Sequence, residues 1–288
     1  MARTAALTLA LLGAACRSIP PAAHAPRAMF PDARSPRRPL VAAALLLALA
    51  CDGASGDAAT SSLPLPIQHA RPIAQVAPEA FVASAEQLGS RLRRLGSKSP
   101  GVPRVLFLGD SFTSGFGLLG GEPPWPELLA RELTEEQVSI EVVNAGLVGD
   151  TSLGGRRRLP DLAHLQPDVL VIELGGNDCL AGLSIAGVRE NLREIVVAGR
   201  AMGARVLLSG LSLPPAMLAT QRGRDFVAVY PELAAELDVA LVPDLLEDVV
   251  DGPRFLQADG LHPNAEGHAV MARNALAPLR ALLAATDP

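Results

Sequence analysis

Cysteine is scarce in this chain: its 288 residues hold only Cys16, Cys51 and Cys179. Three scattered thiols exclude a disulfide framework and any cysteine-based zinc motif. Aromatic residues make up 3% of the chain, so Leu, Val and Ala must build the core. Charged residues reach 19%, below the usual quarter. The apolar share is nevertheless 49% and the mean hydropathy +0.28, which excludes a wholly disordered chain. No apolar run reaches about 18 residues, which excludes a polytopic membrane protein. The five histidines, His24, His69, His164, His262 and His268, show no metal-ligand spacing, so neither a metal nor a cofactor is expected. The length fits one sizeable domain plus an extension.

The net charge of −5 is unevenly spread. Residues 1–51 carry six arginines against the single Asp32, whereas the remainder carries 19 basic and 29 acidic side chains. An acidic body repels phosphate backbones, so nucleic acid is not an expected partner. The basic part reads as a leader. Arg34, Arg37 and Arg38 precede Pro39 to Ala50, a run almost purely of Leu, Ala and Val, and Ala48-Leu49-Ala50-Cys51 ends it. A positive region, a short apolar region and small residues at the end describe an export signal. Twelve residues rise only about 18 Å as a helix, short of a bilayer core of about 30 Å. Cys51 after Ala50 resembles the box of lipid-modified exported proteins, so Cys51 is the expected lipidation site. A second short run, Ala5 to Ala15 before Cys16, makes Met29 the expected true start, because Met29 to Cys51 forms a complete leader alone.

Residues 52–77, rich in Ala, Ser, Gly, Asp and Pro, read as a flexible tether. A helical extension is expected over 78–100: Phe81, Val82, Ala85, Leu88, Leu92 and Leu95 recur at helical spacing between Pro78 and Gly96. Residues 101–288 form the main domain. Strands are expected at Val105–Leu108, Ile140–Val143, Val169–Leu174, Val206–Leu211 and Ala240–Val242. Helices are expected at Trp125–Glu136, Ser152–Leu165, Ile185–Met202, Arg224–Leu237 and His262–Ala285. This alternation means an α/β fold, a three-layer αβα sandwich around a mostly parallel sheet.

Such sheets place ligands at the carboxyl ends of their strands. Those ends carry Gly109-Asp110-Ser111, then Asn144-Ala145-Gly146 with Gly149-Asp150-Thr151, then Gly175-Gly176-Asn177-Asp178. Asp259-Gly260-Leu261-His262-Pro263-Asn264 precedes the last helix. Acyl transfer needs a nucleophile, a base, a group that orients the base and an oxyanion site. Ser111 can expose its hydroxyl after a strand. His262 stands before Pro263, a residue suited to a first helical turn. Asp259, three residues earlier, can bond the other ring nitrogen of His262. The N–H groups of Ser111 and Gly149 and the Asn177 amide can donate to an oxyanion.

Together, in this order, these blocks resemble the SGNH (GDSL-type) hydrolase family over roughly residues 103–285. The closest likeness is to the bacterial acyl-CoA thioesterase I, lysophospholipase and arylesterase group. The resemblance implies Ser111 as nucleophile, His262 as base and Asp259 as its partner. It implies Ser111 N–H, Gly149 N–H and Asn177 as the oxyanion hole, and a five-stranded flavodoxin-like sheet without metal. Phe112 to Phe116, Cys179, and Leu213 to Met217 depart from the group's usual residues, which leaves the acyl-chain preference open.

Several neighbouring features have plainer readings. Asp110 and Asp178 read as loop-stabilising acids, and Asp150 and Thr151 as groups bonding local backbone. Cys179 reads as packing filler, Arg156-Arg157-Arg158 as a solvated helix face, and His268 as structural or solvated. Gly115-Phe116-Gly117-Leu118-Leu119-Gly120 matches a dinucleotide-binding pattern. It lies six residues beyond Gly109 rather than at the strand end, and Pro123-Pro124 follow it, so no nucleotide is expected.

The expected protein is an exported, monomeric serine esterase of a bacterial cell envelope, periplasmic or held to a membrane by lipid. Its expected substrates are small acyl esters or thioesters, or lysolipids. An envelope carbohydrate O-deacetylase and a non-catalytic acyl- or glycan-binding lipoprotein are the alternatives.

Overall fold

The computed structural model describes residues 78–285, with side chains from Ala85 onward. The leader, Cys51 and the tether lie outside the described residues.

Helix α1 spans Pro78–Arg93. Its Leu92 is buried, while Arg91 and Arg93 are exposed. The exposed Arg91 donates from Nη2 to the Asn144 carbonyl at 2.6 Å, tying α1 to the sheet.

Five strands follow: β1 Arg104–Gly109, β2 Glu141–Gly146, β3 Val169–Glu173, β4 Arg205–Ser209 and β5 Ala240–Val242. They form one sheet in the order β2-β1-β3-β4-β5. Every pairing is parallel, with Val105 beside both Val142 and Val169. This is the flavodoxin-like order. A central parallel strand is covered on both faces and so reads as an unbroken apolar run. All six residues of β1 and all five of β3 are buried.

The remaining helices are α2 Ser111–Ser114, α3 Trp125–Glu135, α4 Ser152–Arg158, α5 Gly176–Leu180, α6 Ile185–Ala201, α7 Pro215–Leu218, α8 Gln221–Leu237 and α9 Ala265–Ala284. α3 packs on α9, while α4 packs on α6 and α6 on α8, giving the outer layers of an αβα sandwich. With few aromatics available, one pair anchors the α3 side. Phe107 and Trp125 meet edge to face at 5.1 Å, and both are fully buried. Truncating such a ring to Ala typically costs about 3–5 kcal/mol.

Several element boundaries differ from the sequence expectation. The expected helix Ser152–Leu165 is α-helical only to Arg158; Leu159–Leu165 is a 3-10 segment with Pro160 in its first turn, where Pro cannot donate. The strand expected at Val206–Leu211 is Arg205–Ser209. The last helix begins at Ala265, not His262. Asn264 is its N-cap, accepting from the Gly267 N–H, and Pro263 pairs with Leu256 in an isolated antiparallel bridge. His262 is therefore held by a bridge and a cap rather than by a helical turn.

Candidate active site

β1 ends at Gly109, and the chain turns at once into the single turn of α2. Asp110 caps that turn, its Oδ1 accepting the Phe112 N–H at 3.0 Å. Ser111 is thereby the first helical residue at the carboxyl edge of the sheet. Gly109 must lack a side chain: a Cβ there would lie 2.0 Å from Thr113 Oγ1 and 2.7 Å from Glu173 Oε2. Gly115 closes the turn in the left-handed region at φ 73°.

His262 approaches from the other end of the chain. Its Nε2 lies 3.0 Å from Ser111 Oγ, and its Nδ1 lies 2.7 Å from Asp259 Oδ2. Asp259 Oδ1 accepts the N–H groups of Leu261 and His262 at 2.9 and 3.0 Å, so the carboxylate is fixed by the loop it serves. Partial burial pushes the Asp259 carboxyl up, but these N–H donors and the imidazole together hold it below its ordinary value. Because Nδ1 faces a carboxylate, the network assigns the ring proton there and leaves Nε2 to accept the Ser111 hydroxyl. Phe116 packs on the imidazole at 4.8 Å and Phe112 at 5.8 Å. Gln257 joins the two halves of the site, donating from Nε2 to the carbonyls of Phe116 and Pro263.

The sequence-predicted oxyanion donors also converge here. Neither the Ser111 nor the Gly149 main-chain N–H is committed to an acceptor among the described residues. Gly149 sits at φ 77°, a conformation that favours glycine. Asn177, on α5, is differently engaged. Its Nδ2 donates to Asp110 Oδ2 at 2.9 Å and to the Asp150 carbonyl at 2.8 Å, while its buried Oδ1 has no partner.

Behind the nucleophile lies a group of buried acids. Burial pushes Asp110 up to about 7, and the nearby charges of Asp150 and Asp178 add to this, against the opposing Phe112 N–H. Burial and then Asp110 itself raise Glu173 well above the usual carboxylate range. Asp178 accepts from the Ser152 N–H at 2.8 Å and the Ser152 hydroxyl at 2.6 Å, which is the loop-stabilising role read from sequence. Cys179 is buried, and burial pushes its thiol up, as suits packing filler.

Of its two readings His268 takes the structural one, whereas Arg158 departs from its reading. His268 is fully buried and joins α9 to α3, its Nδ1 accepting the Trp125 N–H at 3.2 Å. Arg158 is not part of a solvated face: its Nε bonds Asp150 Oδ2 and its Nη2 the Gly109 carbonyl. Sequence reasoning also passed over Glu173. Its signal was there, as the one acid in the otherwise apolar strand Val169–Glu173.

A cavity of about 90 Å³ opens beside Ser111 and Asn177. Leu180, Leu211, Leu213, Met217, Val249 and Leu256 are among the apolar side chains lining it. A hydroxyl, an imidazole and a carboxylate in a hydrogen-bonded row can form and break an acyl bond. The adjoining apolar cavity can receive the acyl chain.

Comparison with known proteins agrees with this chemistry. The GDSL-like Lipase/Acylhydrolase family matches residues 107–270. Esterase TesA of Pseudomonas aeruginosa is 41% identical over 180 residues, covering 62% of this chain and 89% of that protein. A crystal structure of TesA superposes with a TM-score of 0.59 at 40% identity, covering 62% of this chain and 99% of that one. The Escherichia coli K12 protein named thioesterase 1/protease 1/lysophospholipase L1 is 38% identical over 169 residues, 58% of this chain and 79% of that one. AlinE4, a SGNH-hydrolase family esterase, superposes with a TM-score of 0.53 at 34% identity, covering 65% of this chain and all of that one. With the sheet order and the family match in agreement, the chain belongs to the GDSL-like lipase/acylhydrolase family, the SGNH hydrolases, and is an enzyme acting on ester bonds.

Proposed function

We propose that the chain is an exported serine esterase that cleaves carboxylic esters or thioesters through an acyl-enzyme on Ser111. The observation that carries this reading is the row Ser111 Oγ, His262 Nε2, His262 Nδ1, Asp259 Oδ2, with separations of 3.0 and 2.7 Å at its two hydrogen bonds. Ser111 Oγ attacks the carbonyl carbon while its proton passes to His262 Nε2. Asp259 holds the ring and stabilises the imidazolium. The imidazolium then protonates the leaving alcohol or thiol, and water, activated by the same ring, releases the acid. The uncommitted Ser111 and Gly149 N–H groups receive the oxyanion. Asn177 adds a third donor when one of its N–H groups leaves Asp110 or Asp150. One such donor is typically worth about 2.7–4 kcal/mol.

The apolar cavity beside Ser111 supports acyl chains as substrates over acetylated sugars, so an O-deacetylase is the weaker reading. The Arg-flanked apolar run ending at Cys51 supports export to a bacterial envelope with a lipid anchor, where lysolipids and acyl esters, rather than acyl-CoA, are at hand. Mass spectrometry of the mature N-terminus tests that part. The enzyme assignment is tested by fluorophosphonate labelling: the wild type labels and Ser111→Ala does not. Persistent labelling of the variant would move the nucleophile elsewhere.

A further inference from the structure

We infer that Arg158 is a positioning residue for the oxyanion site, acting through Asp150 and Gly109. The inference rests on the serine-esterase reading above and adds to it a residue outside the triad and its donors.

Arg158 is the last residue of α4 and is 18% exposed; its partner Asp150 is 2% exposed. Its Nε donates to Asp150 Oδ2 at 2.7 Å and its Nη2 to the Gly109 carbonyl at 2.9 Å. The same Gly109 carbonyl accepts the Leu147 N–H at 3.0 Å, and the Asp150 N–H returns to the Leu147 carbonyl at 3.0 Å. That turn contains Gly149. The Asp150 carbonyl in turn holds Asn177 Nδ2 at 2.8 Å. One guanidinium thus joins the residue two before Ser111 to the turn that presents the Gly149 N–H and orients Asn177.

Local sequence makes the approach possible. A Cβ on Gly154 would lie 1.8 Å from Asp150 Oδ1, so glycine lets α4 press against the carboxylate. The neighbouring arginines do something else. Arg156 pairs with Glu194 on the surface, and Arg157 is exposed. A planar fork can bond a carboxylate and a carbonyl at once, whereas a lysine ammonium is a compact charge on a flexible stem. Donors aimed at an oxyanion act only when fixed in place, and a misplacement of about 1 Å can cost about 10²-fold in rate.

The test is the kinetics of Arg158→Lys on p-nitrophenyl butyrate, alone and in an Asn177→Ala background. The expected result is a kcat about 10²-fold lower with KM within about 3-fold, because the loss falls on the transition state. In the Asn177→Ala background the same replacement should cost less than about 10-fold, since the two changes share one function. An unchanged kcat overturns the inference, as does a full, multiplying loss in both backgrounds or a rise confined to KM. If Arg158→Lys does not fold, Asp150→Asn loosens the clamp from its other side and must show the same kcat loss. Retained labelling of Ser111→Ala would sink the esterase reading. Loss of that labelling together with an unaffected Arg158→Lys would sink this inference alone.

Discussion

The main-chain N–H of Asp110 donates to Glu173 Oε2 at 3.3 Å, and the two carboxyls lie buried together behind the nucleophile turn. Thr113 Oγ1 donates to the same oxygen at 2.7 Å. No arginine or lysine hydrogen-bonds either carboxyl among the described residues, so burial raises both, Asp110 to about 7. A raised folded-state value means that the folded protein binds a proton the unfolded chain has lost. The Asp110 share of the stabilisation is complete below 3.8 and is lost as pH rises through about 7, and the Glu173 share is complete below 4.5 and is lost as pH rises toward its raised folded value. Glu173→Gln keeps the acceptor for Thr113 but cannot ionise. Its urea-unfolding free energy should therefore fall less between pH 4.5 and pH 7 than that of the wild type. Equal slopes for the two proteins would place the proton elsewhere.

His268 works in the opposite sense. Burial, then the neighbouring His262, pushes it down to about 4. The unfolded chain takes up this proton first, so its contribution is complete above 6.5 and is lost as pH falls through about 4. The neutral ring is what accepts the Trp125 N–H and joins α3 to α9. His268→Gln retains an acceptor without the titration. Its acid unfolding should be shallower between pH 6.5 and 4, with some stability lost at neutral pH. An unchanged acid limb would show that His268 is not the group protonated there.

Gly175 illustrates a backbone requirement at the edge of the oxyanion site. It sits at φ 120°, and a Cβ there would lie 2.2 Å from Tyr230 Oη, which donates to the Leu174 carbonyl at 3.0 Å. Gly175→Ala therefore combines backbone strain with overpacking, at a cost of at least about 2 kcal/mol. Tyr230→Phe alone should cost about 1 kcal/mol for the lost hydrogen bond. Combined, the two changes should be less destabilising than their sum, because removing the hydroxyl relieves the contact. Additive losses in thermal unfolding would show that strain at φ 120° alone sets the cost.

Much of this architecture is legible in the sequence because it follows from local rules. Val105–Leu108 and Val169–Ile172 are short apolar runs, the pattern of a strand covered on both faces. Ser111 stands out directly after a strand end, and Asp259 and His262 by their spacing of three before the last helix. What stayed hidden depends on partners distant in the chain. Three consecutive arginines look alike to periodicity, yet each successive residue turns about 100° around the helix. Only Arg158 lands on Asp150, whereas Arg156 pairs with Glu194. The start of α9 is not legible in the sequence, because Pro263 suits a first helical turn as well as it suits a bridge. Its pairing with Leu256 is a tertiary fact. Asn177 was legible as a donor, but not its prior engagement by Asp110 and Asp150.

Acyl-chain preference follows from the cavity beside Ser111. Its volume of about 90 Å³, against the roughly 150 Å³ of an enclosed cavity that holds a benzene ring, matches the first few carbons of a chain. Leu180, one of the lining residues, is 50% exposed. Met217, on the one-turn helix α7, is half-buried and lines the cavity, and its unbranched side chain makes it the lining residue most easily exchanged. Met217→Trp should fill the space: kcat/KM for p-nitrophenyl octanoate should fall about 10-fold or more, while the acetate ester changes by less than about 3-fold, because each excluded methylene is worth about 1 kcal/mol or more. Met217→Ala should shift preference the other way, toward octanoate. If both variants keep the wild-type ratio of octanoate to acetate, the acyl chain does not enter this cavity, and the hydrocarbon must lie on another side of Ser111.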